Sequence, residues 1–238
     1  MGKFKERLVD ILAFPTILYE KLTDRKLTLV LGILLIGAID LMLPDVVHVY
    51  KSIFAQRSVA DVRYNAFMIV VVIILLGLVD VVFVGVPLFD IFRLMKKREA
   101  TLSERYSEQL EEEDKDYNRQ KLRLDSLESR EYNASAIKVM KVYIMSHFLI
   151  IPVNTLLYFI LARRITDSSP DWMLNLWLTI FMLILVWAAA IVARGINVLF
   201  RFNPVFRRLT FIIVFTWNFI FSIVFNMKIM NWVLQLLR

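Results

Sequence analysis

The sequence predicts an all-α fold: a polytopic membrane helix bundle of about five transmembrane helices, with an amphipathic N-terminal helix and a helical cytoplasmic loop. Three observations predict it. Of the 238 residues, 58% are hydrophobic, above the roughly 45–50% of a soluble domain. The excess falls into long uninterrupted runs, which suit a bilayer rather than a soluble core. The Lys and Arg residues collect in alternate gaps between those runs, the arrangement that fixes helix orientation in a membrane.

Residues 1–26 form the first unit. Phe4, Leu8, Ile11, Leu12, Leu18 and Leu22 fall near helical spacing, with Lys3, Lys5, Arg7 and Asp10 between them. That is an amphipathic helix, bent or interrupted at Pro15, lying on the headgroups before the first span. A partner-docking helix is the sharper alternative. The charges running through this stretch leave no apolar region of the kind a signal peptide carries.

Residues 27–92 hold two spans. The first covers about 27–43, with Pro44 and Asp45 ending it, and the second about 66–92, with Gly85 and Pro87 offering a kink. Residues 93–141 are the only long hydrophilic segment. Its edges are basic (Arg93, Lys96, Lys97 and Arg98, then Lys138 and Lys141). Its middle is acidic (Glu104, Glu108, Glu111, Glu112, Glu113, Asp114 and Asp116), and it contains neither Pro nor Gly. This reads as a helix or helical hairpin. Residues 142–238 hold three further spans, about 142–161, 172–199 and 209–232, with turns at Asp167–Asp171 and Arg201–Pro204. No internal repeat is read.

Orientation follows from the basic residues. With the N-terminus inside, the inner segments 1–26, 93–141 and 194–208 carry 22 of the 29 Lys and Arg residues, and the outer ones carry 7. The expected topology is therefore a cytoplasmic N-terminus and an external C-terminus. The formal charge of +7 belongs to this pattern, and no nucleic-acid partner is expected.

Asp80, near the middle of the second span, is the most unusual residue. A charged Asp at bilayer centre costs about 2.5–3.5 kcal/mol on insertion scales, so it should face protein or water. Asn154 and Asn218 are its expected partners at similar depth. The favoured reading is a hydrogen-bonded tie between helices; an ion or proton site and a contact to another subunit are the alternatives. Asp90, near the cytoplasmic end of the same helix, is expected to pair with Arg194, with His147 at comparable depth. Asp40 and Lys228 fall toward the outer side and are expected to pair or to snorkel.

Signatures of catalysis and cofactor binding are missing from the sequence. It has no Gly-rich phosphate loop, nucleophile elbow or His-Glu-x-x-His, and no cysteine at all. His48 and His147, the two histidines, lie too far apart in sequence to imply zinc. Asp80 and Asp90 share one helix, ten residues and roughly 15 Å apart, which rules out an aspartyl dyad within one chain. No enzyme activity, cofactor or metal is expected.

The amphipathic stretch Ile11-Leu12-Ala13-Phe14-Pro15-Thr16-Ile17-Leu18-Tyr19-Glu20-Lys21-Leu22, together with five spans and a cytoplasmic N-terminus, resembles the bacterial branch of the Yip family, the Ypt/Rab-interacting membrane proteins. The likeness covers the whole chain in topology and about a dozen residues in sequence. It implies a non-enzymatic scaffold or adaptor that associates with another membrane protein complex, a transporter or trafficking machinery. It also implies residence in a bacterial cytoplasmic membrane, with an endomembrane as the alternative. The expected partners are the bilayer and another membrane protein, the latter docking on Glu108, Glu111, Glu112, Glu113 and Asp114; a solvated helical linker with no partner is the other reading of that acidic stretch. The alternative function is a transporter or channel subunit that uses Asp80.

Overall fold

The computed structural model describes residues 10, 16–41, 62–113, 134–161, 164–165, 169–224, 228 and 232. Within them the protein is helical and contains no strand. The helices are α1 (Thr16–Glu20), α2 (Lys26–Leu41), α3 (Val62–Glu113), α4 (Ala136–Ile160), α5 (Asp171–Phe200) and α6 (Pro204–Val224). Four of these, α3 to α6, are long and apolar enough to cross a membrane. The chain is thus an all-α, multi-pass membrane protein. The first expected span is represented by α2, whose 16 residues reach only about 24 Å, short of a hydrocarbon core of about 30 Å. His48 and the polar segment around it, Asp114, Asp116 and the rest of 114–133, and most of the expected end of the last span lie outside the described residues.

The charged segment after the second span begins as a continuation of that span. α3 runs unbroken through Pro87 to Glu113, 52 residues in all. On the far side of the segment, α4 starts at Ala136, so the end of the expected helical segment runs straight into the span expected from 142. Lys138 and Lys141 there are buried, Lys138 beside Asp24 and Lys141 by hydrogen bonds to two carbonyls. Ser135 opens α4, its hydroxyl accepting from the Lys138 amide.

Helix directions follow from close contacts. Tyr143 meets Asp80, and Met140 meets Gly85, so α4 runs antiparallel to α3. Thr23 and Arg25 meet Lys141, and Gly32 meets Ile144, so α2 runs parallel to α4 and antiparallel to α3. The turn from α5 into α6 is made by Arg201, the one non-glycine residue with positive φ (52°) among the described residues, and by Pro204 at the first helical position of α6. Lys96 and Glu99 of α3 grip that turn.

The helices are apolar on both sides, as a membrane bundle requires. Along α3, Val72, Leu76, Val84, Leu88 and Phe92 are fully buried, while Phe67, Val70, Ile74 and Leu78 are exposed. Both series follow the period of a helix. On α5, Leu174, Leu178, Met182 and Val186 make the same outward stripe. The inner stripes form the core, and the outer ones are the faces for lipid.

Candidate functional site

α3, α4 and α2 place a polar cluster inside this apolar bundle. Asp80 is 5% exposed. Its Oδ1 accepts a hydrogen bond of 2.9 Å from the Tyr143 hydroxyl. Its Oδ2 lies 3.6 Å from Nε2 of His147. Tyr143 and His147 are four residues apart on α4 and therefore share a face, with the two rings packed edge-on at 4.6 Å. The other imidazole nitrogen, Nδ1, is 3.1 Å from the Tyr143 carbonyl oxygen. A carbonyl can only accept, so Nδ1 carries hydrogen and Nε2 is left to face the carboxyl group. Gly85 lets this happen: a Cβ there would collide with Met140, and its absence lets α4 approach α3 closely enough for Tyr143 to reach Asp80.

Asp40 of α2 is the second buried acid, 8% exposed, and its Oδ2 has no hydrogen-bond partner among the described residues. The charge of Asp80 reaches Asp40, and that of Asp40 reaches Tyr143, with no hydrogen bond or ion pair joining Asp40 to either. Asp40 and Asp80 arrive by the same local route. Ile33-Leu34-Leu35-Ile36-Gly37-Ala38-Ile39-Asp40 aligns without gaps on Ile73-Ile74-Leu75-Leu76-Gly77-Leu78-Val79-Asp80, with four identities and three exchanges among Leu, Ile and Val. The two copies cross antiparallel at Gly37 and Gly77. This short inverted repeat, absent from the sequence reading, is the signal that would have singled out Asp40. Eight residues are too few to stand out in a chain so rich in Leu, Ile and Val.

Several expected pairings do not form. Neither Asn154 nor Asn218 bonds Asp80. Asn154 is half-buried, and the Oδ1 of Asn218 is buried without a partner among the described residues. Asn154 lies seven residues beyond His147, which already fills the position opposite Asp80. Asp90 is exposed and does not meet Arg194. Arg194 instead gives Nη2 to the carboxylate of Asp10 in the N-terminal segment. Asp40 does not snorkel, and no ion pair joins it to Lys228, which is exposed. Glu108, Glu111, Glu112 and Glu113 lie on the last turns of α3, while Asp114 falls outside the described residues.

A second constellation ties the basic segments together at one end of the bundle. Lys141 Nζ donates to the carbonyls of Thr23 (2.5 Å) and Arg25 (2.9 Å). Ser135 donates to Asp24, and Lys138 lies 3.7 Å from the same carboxylate. Lys96 pairs with Glu99 at 2.7 Å and donates to the Arg201 carbonyl, while Glu99 Oε1 accepts from the Asn203 amide at 2.7 Å. Tyr19 is fully buried, its hydroxyl 3.4 Å from the Ile191 carbonyl and its ring against Gly195, so α1 is pinned to α5 as well as to any headgroup layer. Burial raises the Tyr19 phenol above its ordinary range, and the charge of Arg194 opposes that shift. These contacts bring 16–25, 93–99, 134–141 and 194–208 to one end of the molecule.

Among the described residues, no group of His, Asp and Glu side chains is placed to hold a metal ion. No family model, curated protein or solved structure matches the chain.

Proposed function

We propose that the protein is a non-enzymatic membrane adaptor, which presents an acidic helical arm to a partner complex on the cytoplasmic side of the membrane. The observation that carries this reading is the unbroken length of α3. Its 52 residues extend about 78 Å at ~1.5 Å per residue, against some 40–45 Å for a bilayer with its headgroups. The part beyond Phe92 continues for roughly 30 Å and carries Glu104, Glu108, Glu111, Glu112 and Glu113. Anionic lipid repels such an arm, whereas its basic root at Arg93–Arg98 is drawn to headgroups. The arm thus stands away from the membrane and suits a basic protein surface. The gathering of the Lys- and Arg-rich segments at one end of the bundle supports a cytoplasmic placement of that end, with the N-terminus inside and the C-terminus outside. The role is also the one implied by the likeness to the Yip family.

The test is co-purification in mild detergent at low and at moderate salt. Wild-type protein is compared with a variant carrying Gln at residues 104, 108, 111, 112 and 113. Docking through exposed charge weakens with screening, which acts over about 8 Å at physiological ionic strength. A partner retained by the wild type should be lost from the variant and weakened by salt. Retention unchanged by both treatments places the docking surface elsewhere.

A further inference from the structure

The buried cluster around Asp80 has chemistry that an adaptor arm does not use. Its contacting components come from two helices, Asp80 from α3 and Tyr143 and His147 from α4. Asp40 of α2 is a further buried acid in the same bundle, close enough for its charge to reach Tyr143 but with no bond to the three. α6 also packs against α3, Trp217 donating its indole N–H to the Phe83 carbonyl. α6 brings no titratable side chain to the cluster, since Arg207 and Arg208 sit in its first turn at the basic end. Asp90, the other acid on this part of α3, is exposed ten residues further along.

Geometry fixes how many protons the pair takes. Nδ1–H of His147 is committed to the Tyr143 carbonyl and the Tyr143 hydroxyl to Asp80 Oδ1. That leaves Nε2 and Oδ2 facing each other, 3.6 Å apart, with neither holding another hydrogen-bond partner among the described residues. One proton between them makes the pair neutral overall, either as carboxylic acid with imidazole or as carboxylate with imidazolium. Removing it leaves a net negative charge in an apolar bundle, and a second proton leaves a net positive one. Both cost several kcal/mol in a low-dielectric site. A purely structural tie has no use for an unfilled acceptor pair.

We propose that Asp80 and His147 form an intramembrane proton-binding site, anchored by Tyr143 and flanked by Asp40 as the neighbouring acid. The ligand is a single exchangeable proton. A metal cation does not fit, because no three His, Asp or Glu side chains gather there among the described residues. The proposal stands apart from the adaptor reading, and the two can fail independently.

The experiment is infrared difference spectroscopy of the full chain in lipid nanodiscs, titrated with pH in sodium and in potassium buffers. The expected result is one step in which a carboxylic-acid C=O band and imidazole ring bands change together, with the same midpoint in both buffers. Asp80→Asn should remove the carboxyl component. His147→Gln should move the midpoint by about one pH unit or more, a tenfold change in proton affinity, and Asp40→Asn should move it by less while keeping the band. A carboxyl step that survives Asp80→Asn unchanged overturns the proposal, as does a midpoint that follows sodium. Should Asp80→Asn fail to fold, His147→Gln decides alone, and an unmoved midpoint overturns it.

Discussion

Gly37 and Gly77 pack backbone to backbone at the crossing of α2 and α3. A Cβ on Gly37 would collide with the Ile73 carbonyl oxygen and come within 2.8 Å of the Gly77 amide. A Cβ on Gly77 would meet Ile33 and the Gly37 amide in the same way. The relationship is reciprocal because the two segments are copies of one eight-residue pattern running in opposite directions. In lipid, where burial of apolar surface gives no net drive, close backbone approach between small residues is what holds helices together. α2 is short for a span, and this contact is its main hold on the bundle.

The first prediction concerns that contact. Gly37→Ala and Gly77→Ala each force the helix backbones apart and should cost about 1–3 kcal/mol, the range for overpacking a close-packed interior. Gly32→Ala is the control. The Cβ added there meets only the side chain of Ile144, at 2.7 Å from its Cδ1, and that side chain can move. Reversible unfolding in mixed micelles measures the three. Equal losses at residues 32 and 37 would mean that the backbone contact is not special.

A second prediction follows from Glu99, which is 5% exposed, pairs with Lys96 one turn back on α3, and crosses the bundle by accepting from the Asn203 amide. Glu99→Ala leaves the Asn203 N–H unpaired and Lys96 with the Arg201 carbonyl alone, a loss of roughly 1–3 kcal/mol. Glu99→Gln keeps an oxygen for Asn203 and gives up only the charge on the Lys96 side, so it should lose less. Hydrogen exchange at residues 201–206 reads the difference. Protection there unaltered by Glu99→Ala would remove Glu99 from the role of clamp.

Composition and the spacing of charges were enough to read the fold class, the turn at Arg201–Pro204 and the positions of α3, α5 and most of α6, since each rests on a strong local signal. The site was legible only in part. Depth along a span singled out Asp80, but depth does not say which face a residue turns to its neighbour. An amide is the obvious neutral partner, and depth alone points to Asn154. The actual contacts, Tyr143 and His147, are set by the rotation of α4 about its own axis, and that rotation is fixed by the close approach at Gly85. Arg194 is set against Asp90 by depth alone, and the structure pairs it otherwise. Its carboxylate comes from Asp10, far away in sequence, and no periodicity links the two.

Tyr19 supplies a pH dependence, the third prediction. Burial raises its phenol above the ordinary range, so the folded protein holds this proton more tightly than the unfolded chain. Stability from this group is intact below the ordinary tyrosine value of about 10 and falls as pH rises above it. Tyr19→Phe keeps the ring against Gly195 and deletes the proton. It should cost about 1 kcal/mol at neutral pH for the lost hydrogen bond to Ile191, and it should flatten the alkaline limb of the melting curve between about pH 9 and 11. Equally steep limbs in both proteins would show that another group sets the alkaline limit.

The fourth prediction tests the orientation. The structure joins the segments that carry most of the basic residues. Lys141 bonds Thr23 and Arg25, Ser135 bonds Asp24, and Lys96 and Glu99 bond Arg201 and Asn203. These segments must share one side of the membrane whatever that side is. The tendency of Lys and Arg to stay on the cytoplasmic side predicts which side it is. Because the chain has no cysteine, single cysteines report without background. Glu111→Cys lies on the projecting end of α3, and Ser169→Cys lies in the turn before α5. An impermeant maleimide added to intact cells should label Ser169→Cys and leave Glu111→Cys untouched until the membrane is opened. The reverse pattern would put the arm outside, and with it would go the adaptor reading, since the arm could no longer meet a cytoplasmic partner. Labelling at both positions in sealed cells would be a stronger refutation, because α3, α4 and the turn before α5 could not then follow one another across a single bilayer as their antiparallel packing requires.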